Sequence, residues 1–288
     1  MEFLETFGLI CLGVVIAVEN FLVILAAIRN TSLRENTHYN LVISLSVCDF
    51  VVGLNCILFG SIIVPNNGSD QTAINLLCTV YYCAGCVTYH TSLHQTFSIS
   101  LNRYLVITEN KLSQTLWNGN RKYLAFCVMV AISLIINVPI YSTSLNGCGF
   151  QNLIGNKSSP SFFVLGSIQT IFLLLTFIFY FFTLWNIFKL HHKTDFEERD
   201  QSDESKERKI RKRKRMMKSI KLVGFILLAL LVSIIPAVVV IFRGLSTRTE
   251  LLILFLFINS NSAINPIIYC IHIKELSKDL KTMLKIKL

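Results

Sequence analysis

Seven long apolar stretches constrain this chain more than any other feature of its sequence. Each is long enough to cross about 30 Å of hydrocarbon as a helix. They lie near residues 7–28, 39–64, 73–107, 123–141, 161–188, 220–242 and 251–271. Backbone polar groups in a bilayer must find partners inside the protein, so stretches of this length predict helices. We therefore expect an all-α bundle of seven membrane-spanning helices.

Composition supports a membrane bundle with a single domain. The chain has 288 residues, of which 53% are hydrophobic and 15% are charged. This is too apolar for an ordinary soluble domain, and seven spans use nearly all of residues 1–288. After the last span, residues 273–286 carry leucines at helical spacing with lysines between them. This pattern predicts a short amphipathic helix on the lipid of the inner leaflet.

The 27 lysines and arginines are distributed unevenly between the two sides of the predicted bundle. With an extracellular N-terminus and a cytoplasmic C-terminus, only Lys157, Arg243 and Arg248 fall outside, as the positive-inside rule favours. The glycosylation sequons at Asn67 and Asn156 then lie in outer loops. The basic run 211–215 alone resembles a nucleic-acid-binding patch, but between apolar spans it predicts a cytoplasmic anchor. No nucleic-acid partner is expected.

Several polar side chains fall inside the predicted spans, where each is costly unless it faces partners or water. They are Glu19, Asn20, Asp49, Ser92, Asn259, Asn261, Ser262 and Asn265. A carboxylate surrounded by hydroxyl and amide oxygens can hold a hydrated cation such as sodium, because hard cations prefer oxygen ligands. The same groups can instead hydrogen-bond one another and hold the helices together. The pattern alone leaves both interpretations open.

Two short motifs stand at the inner ends of the seventh and third spans. The first is Asn265-Pro266-Ile267-Ile268-Tyr269 and the second is Asn102-Arg103-Tyr104. They resemble the Asn-Pro-x-x-Tyr and Asp/Glu-Arg-Tyr motifs of rhodopsin-like (class A) G-protein-coupled receptors. The order of these and further matching positions is more specific than any single motif. The further positions are Asn20, Asp49, Tyr180 and Pro236.

The resemblance implies a plasma-membrane receptor, not an enzyme, that transmits binding of an extracellular ligand to a heterotrimeric G protein on the cytoplasmic face. It implies no cofactor beyond an allosteric sodium ion. The implied sodium pocket consists of Asp49, Ser92, Asn261, Ser262 and Asn265. The implied activation switch consists of Asn102, Arg103, Tyr104, Tyr180, Pro236, Pro266 and Tyr269. We expect Asn265 to face Asp49 and Tyr269 to face Arg103.

The resemblance also implies a disulfide bond between Cys78 and Cys148. The chain departs from the family at Ile234, where most relatives have tryptophan. Asn102 and Met216 replace two acids that usually restrain the arginine of the third span. Because both restraints on Arg103 are missing, we predict raised ligand-independent signalling.

The predicted ligand pocket is apolar with a few polar groups. Glu19-Asn20 resembles melanocortin, sphingolipid and cannabinoid receptors, and Cys148-Gly149-Phe150 resembles adenosine receptors. Gly85 stands where amine receptors carry an aspartate, so a monoamine ligand is disfavoured. A neutral small molecule, lipid or nucleoside-like ligand is favoured instead. The candidate pocket residues are Cys86, Tyr89, His90, Phe150, Leu165, Gln169, Val238, Ile241, Phe255 and Asn259.

Two other functions are compatible with parts of this sequence. A transporter or channel could use Glu19 and Asp49 in an ion path, but the chain lacks the internal repeats typical of transporters. A receptor that no longer signals is a further alternative, given Ile234 and Asn102. His90 and His94 are one helical turn apart, yet no third ligand accompanies them in the sequence, so a structural or catalytic metal site is not expected.

Overall fold

The computed structural model describes most of the chain. The described residues are 2–31, 33, 37–63, 71–117, 121–144, 160–197, 217, 220–236 and 248–284. Nearly all of them are helical. The expected all-α architecture is confirmed in this part of the chain.

The described residues form nine helices. They are α1 (Glu2–Arg29), α2 (Thr37–Leu58, continued by a π-helical turn at Phe59–Ile63), α3 (Gln71–Ile107), α4 (Lys111–Trp117), α5 (Arg121–Ser144), α6 (Pro160–Glu197), α7 (Ile220–Pro236 as described), α8 (Arg248–His272) and α9 (Lys274–Met283). The seven predicted spans correspond in order to α1, α2, α3, α5, α6, α7 and α8. The predicted amphipathic helix corresponds to α9.

Apolar length distinguishes some of these helices. Within the described residues, Thr6–Arg29, Tyr39–Ser61 and Thr170–Lys189 are long and apolar enough to cross a membrane. Tyr123–Ile136 and Ile220–Pro236 are shorter apolar helices. Although α3 and α8 are also long, they carry many inward-facing polar side chains. This lowers their overall hydropathy without shortening them.

The first two helices pack backbone against backbone. A Cβ atom built on Gly53 of α2 would lie 2.6 Å from the backbone nitrogen of Ala17, and one on Gly13 of α1 would lie 2.8 Å from the Gly53 carbonyl oxygen. Only hydrogen fits at these positions. The two glycines therefore set how closely α1 and α2 approach, much as small residues do in other membrane helix pairs.

The bundle is arranged around α3. This helix contacts α2, α4, α5 and α6, while α1 contacts both α2 and α8 and so brings the two ends of the described bundle together. Large apolar side chains on the outer surface of α6 remain exposed, among them Phe181, Trp185 and Phe188. Exposed apolar surface of this kind is suited to lipid contact.

The amphipathic helix is fastened to one end of the bundle. Leu276 and Leu280 of α9 are buried, while its lysines are exposed. Asn30, just after α1, donates a hydrogen bond from Nδ2 to Asp279 Oδ2 at 2.6 Å. The Tyr39 hydroxyl donates to Glu275 Oε2 at 3.4 Å. These contacts fix α9 beside α1 and α2.

Three local features differ from the sequence-based boundaries. Helix α1 begins at Glu2 rather than near residue 7, and α6 continues to Glu197 rather than ending near 188. Residues 167–223 contain neither glycine nor proline, so nothing in the sequence stops α6 where its apolar stretch ends. Between α3 and α5, the unexpected helix α4 follows a turn in which Glu109 has a φ of 54°. The Asn110 side chain accepts the Leu112 N–H at 2.9 Å and so caps this helix.

Candidate functional site

A buried carboxylate lies where α2, α3 and α8 meet. The Asp49 side chain has no exposed surface. Its Oδ1 accepts hydrogen bonds from the Ser262 hydroxyl at 2.8 Å and the Ser92 hydroxyl at 3.5 Å. Its Oδ2 accepts from Asn265 Nδ2 at 2.9 Å. The structure thus joins four residues of the predicted sodium pocket and places Asn265 against Asp49, as the motif suggests.

Asn20 of α1 fills a gap that Pro266 leaves in α8. Proline has no N–H, so Pro266 cannot donate to the carbonyl four residues earlier, which is that of Ser262. Asn20 Nδ2 donates to this carbonyl at 3.0 Å and to the Ile16 carbonyl at 3.0 Å. The asparagine therefore holds α1 against α8 where α8 lacks one of its own hydrogen bonds.

Three amide oxygens of this region lack donors within the described residues. They are the buried Oδ1 atoms of Asn20, Asn261 and Asn265. A buried acceptor without a partner costs about 1–3 kcal/mol, unless water or an ion satisfies it. Asn261 makes no direct hydrogen bond to Asp49. Its Oδ1 atom would therefore bind a cation as a further oxygen ligand, in addition to the oxygens that already surround Asp49. An acid with hydroxyl and amide oxygens around it fits a hydrated hard cation such as sodium.

Arg103, Tyr180 and Tyr269 of the predicted switch are not hydrogen-bonded to one another in the described part of the chain. Arg103 is 9% exposed, and its Nε and one terminal nitrogen, Nη2, are buried without an acceptor. The hydroxyl of the fully buried Tyr269 also lacks a partner. The Tyr180 hydroxyl lies against Gly224 of α7. Thus Tyr269 makes no hydrogen bond to Arg103, although the motif suggests that the two face each other.

The remaining switch residues lie on α3, α7 and α8. Asn102 is buried beside Arg103. The Tyr104 ring lies 5.5 Å from that of Phe179 on α6, between centroids. Pro266 is buried within α8, and Pro236 ends the described part of α7. The predicted switch positions therefore lie on α3, α6, α7 and α8.

Four of the predicted ligand contacts have described side chains. Tyr89 is half-buried and His90 buried on α3, with ring centroids 6.2 Å apart. Phe255 and Asn259 are half-buried on α8, and Asn259 Nδ2 donates to the Phe255 carbonyl at 2.7 Å. The Phe255 ring lies 5.3 Å from that of Phe59, in the π-helical turn of α2. This turn therefore reaches the predicted pocket wall.

Other predicted positions lie outside the described residues or have side chains that are not described. The former are Cys148, Asn67, Asn156, Phe150, Val238 and Ile241, and the latter are Cys78, Cys86, Leu165 and Gln169. The disulfide, the glycosylation sites and this part of the pocket remain predictions.

The sequence motifs did not predict a set of polar contacts that α3 makes with its neighbours. Gln95 accepts from the Ser44 hydroxyl of α2 at 3.1 Å. His94 Nδ1 and the Ser133 hydroxyl of α5 are 3.4 Å apart. The signal was the density of polar residues between His90 and Arg103, which fills the centre of a membrane helix with buried hydrogen-bonding groups.

The contacts of His94 also bear on whether His90 and His94 could belong to a metal site. His94 faces α5, where its ring nitrogen meets a hydroxyl rather than a second metal ligand. Among the described residues, no group of three or more histidine, cysteine or acidic side chains is arranged to hold a metal ion. Within that part of the chain, His94 is best understood as a helix-packing residue.

Sequence comparison decides the family. The model of the 7 transmembrane receptor (rhodopsin family) matches residues 19–269. This chain is a rhodopsin-family receptor. The match covers all the motifs from Asn20 to Tyr269 and confirms the resemblance. As a family member, this receptor is a multi-pass membrane protein and not an enzyme, so the transporter and channel alternatives lose their support.

The sequence identity between this receptor and individual relatives is low. The receptor is 24% identical to trace amine-associated receptor 8b of Rattus norvegicus over 143 residues, which are 49% of this chain and 41% of that one. It is 27% identical to the Dopamine D2-like receptor of Drosophila melanogaster over 180 residues, which are 59% and 18%. Trace amine-associated receptor 8 of Homo sapiens is 25% identical over 139 residues, or 47% and 39%. The matched segment spans less than half the length of each of these relatives.

Proposed function

We propose that this receptor couples an extracellular ligand to activation of a heterotrimeric G protein at the cytoplasmic face of the plasma membrane. The observation that carries the proposal is that two buried guanidinium nitrogens of Arg103, near the end of α3, have no acceptor among the described residues. Buried N–H groups without acceptors are costly, so Arg103 is ready to accept a new partner. An outward movement of α7 would open the inner end of the bundle and let Arg103 find one.

The expected raised basal activity follows from two positions of the sequence where most relatives carry an acid. Asn102 and Met216 offer no carboxylate, so neither can form the ion pair that restrains the arginine in most relatives. An agonist shifts a two-state equilibrium only through its higher affinity for one state. Weak restraint of the resting state leaves a larger active fraction before any agonist binds.

Bound sodium would lower the ligand-independent activity of this receptor. We infer that a hydrated sodium ion binds Asp49 together with the oxygens of Ser92, Ser262 and the nearby asparagines. The ion would supply positive charge to a buried carboxylate that otherwise has only neutral donors. Its site joins α2, α3 and α8, so occupancy would favour the helix arrangement in which these groups meet.

The ligand is proposed to be a neutral small molecule, lipid or nucleoside-like compound. The relatives are named for trace amines and dopamine, but this chain has Gly85 where amine receptors carry their aspartate. A Cβ built on Gly85 would meet nothing within 4 Å, so the position offers space rather than charge. Tyr89, Phe255 and Asn259 then supply aromatic and amide contacts suited to an uncharged ligand.

A panel of G proteins co-expressed with the receptor tests the signalling function. We expect nucleotide exchange on at least one G-protein class, either without ligand or during a screen of lipids, nucleosides, peptides and amines. Ion currents without exchange would favour the channel alternative. Neither current nor exchange at confirmed surface expression would favour a receptor that no longer signals.

A further inference from the structure

The described part of α7 carries a notch that one side chain fills. A Cβ atom built on Gly224 would collide with the Tyr180 hydroxyl oxygen and lie 3.3 Å from the carbon that bears it. The three atoms nearest to that position all belong to Tyr180. We call this position the Gly224 notch. It holds the tip of a tyrosine that belongs to α6.

Arg103 and Tyr180 are the chain neighbours of two rings that contact each other. Tyr104 follows Arg103 on α3 and Phe179 precedes Tyr180 on α6, and these two rings have centroids 5.5 Å apart. Arg103, which precedes Tyr104, has two buried nitrogen atoms without acceptors among the described residues. The Tyr180 hydroxyl could accept from such a donor, yet it is turned towards α7 instead. The notch therefore competes with Arg103 for the same hydroxyl.

We propose that Gly224 is a positioning residue of the switch, whose notch holds Tyr180 away from Arg103 and thereby limits ligand-independent activity. This regulation rests on the proposed G-protein coupling. Tyr180 occupies the notch in the resting state and leaves it for Arg103 in the active state. Because Asn102 and Met216 provide no acidic restraint, the notch supplies part of the restraint that this receptor lacks elsewhere.

Glycine is required because any larger residue closes the notch. The atom in the way is the end of a tyrosine side chain, not backbone, so alanine would displace Tyr180 rather than α7. Alanine is also a better helix former than glycine. Gly224→Ala is therefore expected to fold, and its effect on the resting state should shift the ratio of the two states by about fivefold or more.

The test compares ligand-independent nucleotide exchange at matched surface expression in wild type, Gly224→Ala, Tyr180→Phe and the double variant. Gly8→Ala is the matched control, since a Cβ at Gly8 meets nothing within 4 Å. In parallel, ¹⁹F NMR of purified receptor containing 3-fluorotyrosine follows Tyr180, whose resonance is assigned by its loss in Tyr180→Phe. The NMR measurement needs no G protein.

We expect Gly224→Ala to raise exchange severalfold, to shift the Tyr180 resonance and to have no effect when Tyr180 is phenylalanine. Gly8→Ala should match wild type. Exchange and resonance both unchanged in Gly224→Ala would overturn the proposal, and so would an equal rise in the Tyr180→Phe background. A shifted resonance with no exchange in any variant would support the notch contact while refuting the signalling function on which its regulatory role rests.

Discussion

Asp49 is a buried acid whose two oxygens accept three hydrogen bonds from α3 and α8. Hydrogen bonds to charged groups contribute about 1.5–3 kcal/mol each. All three donors are neutral, so they orient the carboxylate without compensating its charge. A cation that reaches this site gains the charge interaction while the helices keep their hydrogen bonds. Removing the charge and preserving the shape is therefore the most informative substitution here.

Asp49→Asn should abolish sodium dependence. In wild type, ligand-independent nucleotide exchange should be lower in sodium chloride than in N-methyl-D-glucamine chloride of equal ionic strength, because we propose that bound sodium favours the resting state. In Asp49→Asn the two salts should give the same rate. Glu19→Gln, which changes another acid inside the spans, should keep the salt difference. A wild-type receptor indifferent to sodium would contradict the proposed site.

Gly85→Asp tests the assignment of ligand class. A Cβ atom at Gly85 meets nothing within 4 Å, and a carboxylate there would pair with an ammonium group. We expect this variant to gain a response to phenethylamine that wild type and Gly85→Ala lack, measured as ligand-driven nucleotide exchange. A strong phenethylamine response in wild type would show instead that the receptor binds amines without an aspartate at this position.

At the scale of helices, the sequence predicted which segments are long helices better than it predicted their ends. Long apolar runs identify spans because burying polar backbone in lipid requires a helix, whereas a helix can continue into water when no glycine or proline stops it. This explains the extension of α6 to Glu197. The short helix α4 and the π-helical turn at Phe59–Ile63 have no comparable signal, since both depend on packing against neighbours.

The close contact between α1 and α2 provides an element-scale prediction. Gly53→Ala would place a methyl group against the backbone of Ala17 and Gly13, which cannot move as a side chain can. We expect a loss of about 1–3 kcal/mol of stability, measured as a lower midpoint of thermal unfolding in detergent. Gly8→Ala should leave the midpoint close to wild type. Equal midpoints for the two variants would show that α1 and α2 can separate at little cost.

At the scale of the whole molecule, the sequence predicted a helical bundle from apolar runs, but it placed the sites mainly through resemblance. Spacing alone cannot bring Asp49 and Asn265 together, because they are 216 residues apart in the chain. Periodicity likewise could not show that Tyr180 rests against α7 and not on Arg103. Such contacts depend on how whole helices approach, which local sequence patterns do not determine.

Hydrogen bonds between helices are more numerous around Asp49 and Asn20 than around Arg103 and Tyr269. Hydrogen bonds join α1, α2, α3 and α8 around Asp49 and Asn20, although three asparagine oxygens there lack donors among the described residues. No such hydrogen bond joins Arg103 or Tyr269 to a neighbouring helix within the described residues. Contacts that can be exchanged at little cost allow two conformations of similar free energy. A receptor of this design should populate its active state without ligand.

The most direct test of this account is ligand-independent nucleotide exchange by purified receptor in lipid nanodiscs, measured with each class of purified heterotrimeric G protein. Arg103→Ala, adjusted to the same amount of folded receptor, is the comparison. Wild type should accelerate exchange on at least one class above empty nanodiscs, and Arg103→Ala should return the rate towards that baseline. Exchange by wild type no faster than empty nanodiscs on every class, or the same acceleration by Arg103→Ala, would contradict the account.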